Sequence, residues 1–247
     1  MLHRRGFLAG VLACPICAAA ARAEGAASWD YEGAQNWGQL DPTHKACAIG
    51  AEQSPIDLTD AIPARLPGLS LDWKPQAFEI VNNGHTIQAN VASGSTAQIG
   101  ATRYELKQFH FHHPSEHALN GKRRAMEAHF VHADDKGNLV VVGVFLVAGA
   151  RNPVFAEIMK VAPPSPGQAR LKSPVYAQAL LPQRRNTLFR YQGSLTTPPC
   201  SETVDWNIYL DSTAVAQADI DAFAGIFPDN ARPLQSLNRR YLLRSGC

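Results

Sequence analysis

No stretch of this sequence is apolar for long enough to cross a bilayer. The longest apolar run, "LVVVGVFLVAGA" at 139–150, falls short of the ~20 residues a membrane helix needs. Charge is scarce too, at 18% Asp, Glu, Lys and Arg, and no segment interleaves basic with aromatic residues, which argues against a nucleic-acid surface. Internal repeats, low-complexity tracts and linkers are missing, so nothing divides the chain. Cysteine is sparse, with five in 247 residues, two of them in the first 23. What remains is 45% hydrophobic residues with 17 Pro and 18 Gly, the composition of one globular domain with a sizeable core and many turns.

The N-terminus, "MLHRRGFLAGVLACPICAAAARA", has a basic start, a short apolar run and a small-x-small ending at Ala21-Arg22-Ala23, the pattern of a cleaved export signal. Residues 1–23 are therefore expected to be removed, leaving 24–247 as a single domain in the periplasm. Arg4-Arg5 resembles the twin-arginine route, with the general secretory route as the alternative, and "VLAC" at 11–14 resembles a lipidation site at Cys14. Loss of Arg4, Arg5 and Arg22 takes the basic residues from 23 to 20 against 21 acids, a formal net charge of −1. Cys47, Cys200 and Cys247 then remain. In an oxidising compartment Cys47 with Cys200 is the natural pair, two buried free thiols being the alternative.

Strand patterns dominate the rest. Residues 78–91 read as two short strands around Asn-Asn-Gly, and 96–99, 104–112, 125–132 and 139–147 are β-rich runs bounded by Gly, Pro or Asp-Asp turns. Helices are expected only at 153–161, opened by the Asn152-Pro153 cap, and at 216–226. Residues 162–190 read as Pro-rich and irregular, and "FPDNARPLQSLNRR" near the end as an ordered loop.

"QFHFHHPSEH", 108–117, is the segment with chemistry in it. In an extended chain Phe109 and Phe111 share one face while His110 and His112 point from the other. A second alternating strand, "MEAHFVH" at 126–132, follows across the turn signal Asn120-Gly121, which would bring His129 beside the first two histidines. Gln108 and Glu127 each stand two residues before a histidine on its own face, where they could fix the proton on its other ring nitrogen. A half-exposed polar strand is the plainer alternative, but an acid-supported third histidine beside His-x-His favours a metal site. Three neutral nitrogens without a thiolate suit zinc with an open fourth position.

"QFHFH" with "SEH", "EAHFVH", "NNGH", "QSPID" and "GSLTTPPCSETVDW", taken together and in this order, resemble an alpha-class carbonic anhydrase of the exported bacterial kind. The resemblance implies a mostly-β fold: a large central, twisted, mainly antiparallel sheet with short peripheral helices. It implies reversible hydration of carbon dioxide to bicarbonate by zinc-bound hydroxide, a lyase activity. His110, His112 and His129 become the zinc ligands, with Gln108, Glu127 and a backbone carbonyl near Asn230 behind them. Thr196 becomes the hydroxyl beside the bound solvent and Glu116 the acid that accepts its proton. Val131, Val141, Leu195, Thr197 and Trp206 line the substrate pocket. His85 becomes the proton shuttle, with Tyr31 and Asn83 ordering water, while His113, His117 and His132 are assigned to structure or surface. Cys47 and Cys200 occupy positions paired in exported members. The implied partner is a small molecule, with no nucleic acid and no transmembrane segment, and a homodimer is left open. The rival readings are a catalytically silent binding module of the same fold and a periplasmic metal carrier.

Overall fold

The computed structural model describes residues 28–245, so the expected signal segment, Cys14 and Cys247 lie outside the described residues. A 13-stranded sheet organises the chain. Across its centre run, in order, Leu188–Gly193, Val204–Tyr209, Leu139–Ala148, Met126–Ala133, Thr102–His112, Ile87–Asn90 and Glu79–Asn82. Neighbours in this series are antiparallel except Leu139–Ala148 with Val204–Tyr209. Short helical segments lie at the periphery, so the architecture is the mainly antiparallel one expected.

Local chemistry explains the elements. In the Pro153–Val161 helix Asn152 Oδ1 accepts from the amides of Val154 (3.0 Å) and Phe155 (3.2 Å), and Pro153 fills the first turn, where no amide hydrogen is needed. The second helix, Gln217–Ile226, starts one residue later than expected. Asn120 and Gly121 adopt φ of 51° and 74°, the primed-turn geometry this dipeptide favours. That turn, however, closes a separate two-stranded ribbon, Ala118–Leu119 with Lys122–Arg123, inserted between the two histidine strands.

Residues 162–190, expected to be irregular from their prolines, are only partly so. Gly167–Arg170 pairs with Glu79–Asn82 at a sheet edge, and Leu188 opens a central strand. "GQAR" has no apolar alternation of its own; its strand form comes from the backbone groups the edge presents to it.

Hydrocarbon fills both faces of the sheet. One core gathers Phe78, Phe109, Phe111, Phe130, Val142 and Val144 beneath the two longer helices. The other holds Val131, Val141, Phe145, Phe189, Trp206 and Ile208. Each such buried side chain stabilises the fold by ~1.5–3 kcal/mol. A disulfide joins Cys47 to Cys200 across 153 residues of sequence, tying the N-terminal helical turns to the 194–200 loop. A crosslink of that span adds ~2–5 kcal/mol.

Candidate metal centre

Sheet register assembles the three histidines. His110 stands opposite His129 on the neighbouring strand, His112 opposite Glu127 and Gln108 opposite Val131, so all six share rows across the strand pair. The alternation that puts His110 and His112 on one face is reset upstream. A β-bulge at Lys107 makes Leu106 pair with His132 and Gln108 with Val131. Leu106 and Gln108 have the same parity, yet Leu106 packs with Phe109 and Phe111 while Gln108 joins the histidine face.

Ring centroids lie 5.0 Å apart for His110–His112, 5.3 Å for His110–His129 and 4.6 Å for His112–His129. One nitrogen from each ring falls within 4.8 Å of the others. The opposite nitrogen of each ring is occupied: His110 Nδ1 lies 2.8 Å from Gln108 Oε1, His112 Nδ1 2.7 Å from Asn230 O, and His129 Nε2 2.9 Å from Glu127 Oε1. All three partners are oxygens, so each must receive an N–H, and each ring keeps its lone pair on the inward nitrogen. Burial, with the neighbouring imidazoles, holds His110 well below its ordinary pKa, and burial also lowers His112. His110 and His112 are thereby held as neutral, donor-ready rings.

Glu127 serves two rings. Its Oε1 also lies 2.8 Å from His117 Nδ1, and its Oε2 accepts from the His117 amide at 2.8 Å. Burial alone would raise this carboxyl's pKa, but His117 and His129 outweigh it and hold it well below the usual range. His117, Glu127 and His129 form a second group compact enough for a metal. Both His117 nitrogens are already engaged, however, by Glu127 and by the Tyr191 hydroxyl at 2.7 Å, so that group supports the first. Opposite His129, Gly143 makes room: a Cβ there would approach Glu127 Oε1 to 3.2 Å and Ile208 Cγ1 to 3.0 Å.

Two buried atoms at this centre have no hydrogen-bond partner among the described residues, His112 Nε2 and Glu116 Oε2, and they lie 3.5 Å apart. Orphaned buried polar atoms are costly, and here they border the converging lone pairs. A cation with affinity for imidazole nitrogen fits this donor set. Glu116 Oε1 accepts from the Arg232 amide at 2.9 Å, and its Oε2 also lies 3.8 Å from His129 Nδ1. No hydrogen bond between Thr196 and Glu116 is formed among the described residues.

Val131, Val141 and Trp206 stand side by side on three adjacent strands, in the sheet row beginning at Gln108. Leu195 packs against the same cluster. Trp206 also donates from Nε1 to Ser194 O at 3.0 Å, fixing the loop that carries Leu195, Thr196 and Thr197. Asn83 Oδ1 is committed to the turn, accepting from the amides of His85 and Thr86 at 2.9 Å each. His85 stacks on Trp29 with centroids 3.7 Å apart and planes 7° from parallel, and burial lowers its pKa. Tyr31 packs edge-on against Trp29 and Trp37, and burial raises its hydroxyl well above the ordinary value. His132 is buried in the opposite core, and His113 Nδ1 lies 2.9 Å from Pro228 O. The Arg232 and His117 contacts are long-range features that local patterning does not display.

Comparison with known proteins gives the same answer from three directions. The family model for eukaryotic-type carbonic anhydrases matches residues 32–246. Carbonic anhydrases of Neisseria gonorrhoeae (38% identical over 238 residues, covering 94% of both chains) and Pectobacterium carotovorum (39% over 245 residues, covering 97% of this chain and 99% of the relative) are similar along nearly their whole length. The alpha-carbonic anhydrase of Thermovibrio ammonificans, solved with the inhibitor sulfanilamide, superposes with a TM-score of 0.86 at 41% identity, covering 89% of this chain and all of that one. On its sequence, its sheet and its histidine face, the chain belongs to the eukaryotic-type, or alpha, carbonic anhydrase family.

Proposed function

We propose that this protein interconverts carbon dioxide and bicarbonate with zinc held by His110 Nε2, His112 Nε2 and His129 Nδ1. The observation that carries the reading is the convergence of three buried imidazoles whose outer nitrogens are all spoken for by oxygen. Three nitrogen ligands with one position left open are the catalytic arrangement of zinc. Bound zinc would supply the Lewis acidity that lets a water lose its proton near neutral pH, chemistry for which this family is itself the reference case.

The chain's own groups do the rest. Glu116 Oε2, the oxygen the Arg232 amide leaves free and which makes no hydrogen bond among the described residues, is the acceptor we assign to the Thr196 hydroxyl proton. Thr196 is then only an acceptor towards whatever lies at the open position, which discriminates against anions with no proton to give. Carbon dioxide is apolar and uncharged, so its seat is the hydrocarbon wall of Val131, Val141, Leu195 and Trp206, with Thr197 at the edge. His85 carries the released proton between the site and bulk solvent, its ring parked on Trp29 and part-buried. Residues 1–23 act as an export signal, by the secretory or twin-arginine route, and 24–247 form one periplasmic domain in which the crosslink persists.

Zinc content and stopped-flow hydration of carbon dioxide, run on the purified protein and on His129→Ala, decide the matter. One zinc per chain with rapid hydration, both abolished in the variant, is the expected result. A protein that neither binds zinc nor hydrates carbon dioxide when zinc is supplied would leave only a silent module of this fold; tight zinc exchange without hydration would indicate a carrier.

A further inference from the structure

The loop segment 230–232 supports three parts of the site at once. Asn230 O faces His112 Nδ1 at 2.7 Å, Asn230 Nδ2 donates to His85 O and Phe111 O at 3.0 Å each, and the Arg232 amide donates to Glu116 Oε1 at 2.9 Å. No strand or helix includes this segment. Asn230 is tied to His113 by two bonds (Asn230 N to His113 O, 3.0 Å; His113 N to Asn230 Oδ1, 2.7 Å) and Arg232 O accepts from Arg123 Nη2 at 2.8 Å, but the anchor that reaches the N-terminal segment is the Arg232 side chain, 1% exposed. Arg232 Nη1 donates to Gln53 Oε1 (2.9 Å) and Ser54 O (2.7 Å), and Nη2 donates to Cys47 O (3.2 Å). Trp37 lies beneath the guanidinium, 5.5 Å from ring centroid to Cζ. Cys47 is one half of the crosslink, and Gln53 Nε2 donates to the carbonyl of the other half, Cys200, at 3.1 Å.

A guanidinium buried on neutral acceptors is costly to keep. Burial lowers Arg232 to about 10, which still leaves it protonated at neutral pH. Its three side-chain bonds all go to the crosslinked N-terminal segment, while its own amide faces the metal centre.

We propose that Arg232 is a positioning residue that couples the Cys47–Cys200 crosslink to the metal centre, its side chain gripping the crosslinked segment while its main chain holds Glu116 and, through Asn230, His112. The effect on metal binding rests on the zinc reading above; the mechanical coupling does not. Cutting the grip lets segment 230–232 drift, so His112 loses its orienting carbonyl and Glu116 its amide. Cutting the crosslink drags on the same grip from the other end.

The test uses the purified protein, Arg232→Gln, Cys47→Ser/Cys200→Ser and their combination, with Gln53→Ala as a milder cut should Arg232→Gln fold poorly. Val154→Ala, on the far core, serves as a control that lowers stability alone. Two readouts are taken: zinc affinity by competition with a chelator, and amide exchange in peptides covering 113–117 and 228–235 of the metal-free protein. Arg232→Gln is expected to weaken zinc about tenfold and to speed exchange in both peptides, with Gln53→Ala in between and Val154→Ala inert on both. Removing the crosslink should do the same in the parent but add little to Arg232→Gln, because both act through one grip. Independent, multiplying effects, or a loss of melting temperature with zinc affinity and local exchange unchanged, overturns the proposal. Exchange decides the coupling even in a protein that binds no zinc, so failure of the zinc reading is told apart from failure of this one.

Discussion

The two faces of the histidine strands make opposite use of the same backbone. On one face Phe109, Phe111 and Phe130 pack ring to ring, with Phe111 reaching Phe155 at 5.0 Å and Phe223 at 6.3 Å on the two longer helices. On the other, residues one step along the same strands bring three imidazoles together, with the inward nitrogen of His112 buried and unpartnered among the described residues. Hydrocarbon on the first face stabilises a stiff platform. The second spends that stability on a cluster of buried nitrogens that desolvation alone would disfavour. The lesson is a division of labour by parity, which substitutions on each face can break.

The largest effect belongs to the imidazole face. His129→Ala should abolish zinc binding and hydration while leaving the fold intact by circular dichroism, since Glu127 keeps its bonds to His117. A variant that unfolds instead would mean the imidazoles hold the sheet together. Phe111→Ala reverses the outcome. It should cost ~3–5 kcal/mol of stability in chemical denaturation, with hydration per zinc-loaded molecule retained. Activity collapsing in the folded fraction would show that the platform cannot be softened without disturbing the metal face.

The hydrocarbon face carries one imidazole of its own, His132, and it sharpens the contrast. Its Nδ1 lies 2.9 Å from Phe130 O and its Nε2 accepts from Trp73 Nε1 at 3.1 Å, so the neutral ring is fully satisfied. A second proton would set Nε2–H against the indole N–H, and burial lowers this pKa from 6.5 to about 4. The unfolded chain thus binds this proton more readily than the folded one. The contribution is fully present above pH 6.5, shrinks as pH falls and levels off below about 4, for a total of ~3 kcal/mol. His132→Gln keeps an acceptor for Trp73 but cannot titrate. Urea unfolding between pH 7 and 4 should show the parent losing stability relative to the variant by about that amount. A gap that stays constant with pH would refute the assignment.

What could be read in advance follows the range of the interaction. His110, His112 and His129 were legible because strand alternation is a two-residue signal and Asn120-Gly121 announces a reversal. Gln108 and Glu127 were legible for the same reason, each two residues from its ring. The bulge at Lys107 was not, since an inserted residue leaves no mark in composition, although Leu106 and Gln108 sharing a parity but not a character is a trace of it. The edge strand Gly167–Arg170 was hidden because its partner, not its own sequence, makes it a strand. Asn230 entered through family resemblance, whereas Arg232, more than 100 residues from Glu116 in sequence, carries no local signature of the bond it makes.

Glu127 is where the two strands' chemistry meets most tightly, and it offers the finest test. Three donors converge on its carboxylate: His129 Nε2–H and His117 Nδ1–H on Oε1, and the His117 amide on Oε2. Glutamine has one acceptor oxygen and one donor nitrogen in the same shape, so in either orientation Glu127→Gln sets an N–H against an N–H. The backbone amide cannot yield; a ring can, by changing tautomer. Were the amide group to face the rings, His129 would keep its fold position but offer its proton, not its lone pair, to the metal. The expected loss is 10- to 100-fold in zinc affinity or hydration, about 1.4 to 2.8 kcal/mol, far below that of removing the ring. Glu127→Asp keeps the charge while shortening the reach, and competition titrations on the pair separate the two causes. If Gln is harmless and Asp damaging, reach governs; if Gln is damaging despite its perfect fit in length, the acceptor count on this carboxylate sets the ligand's tautomer.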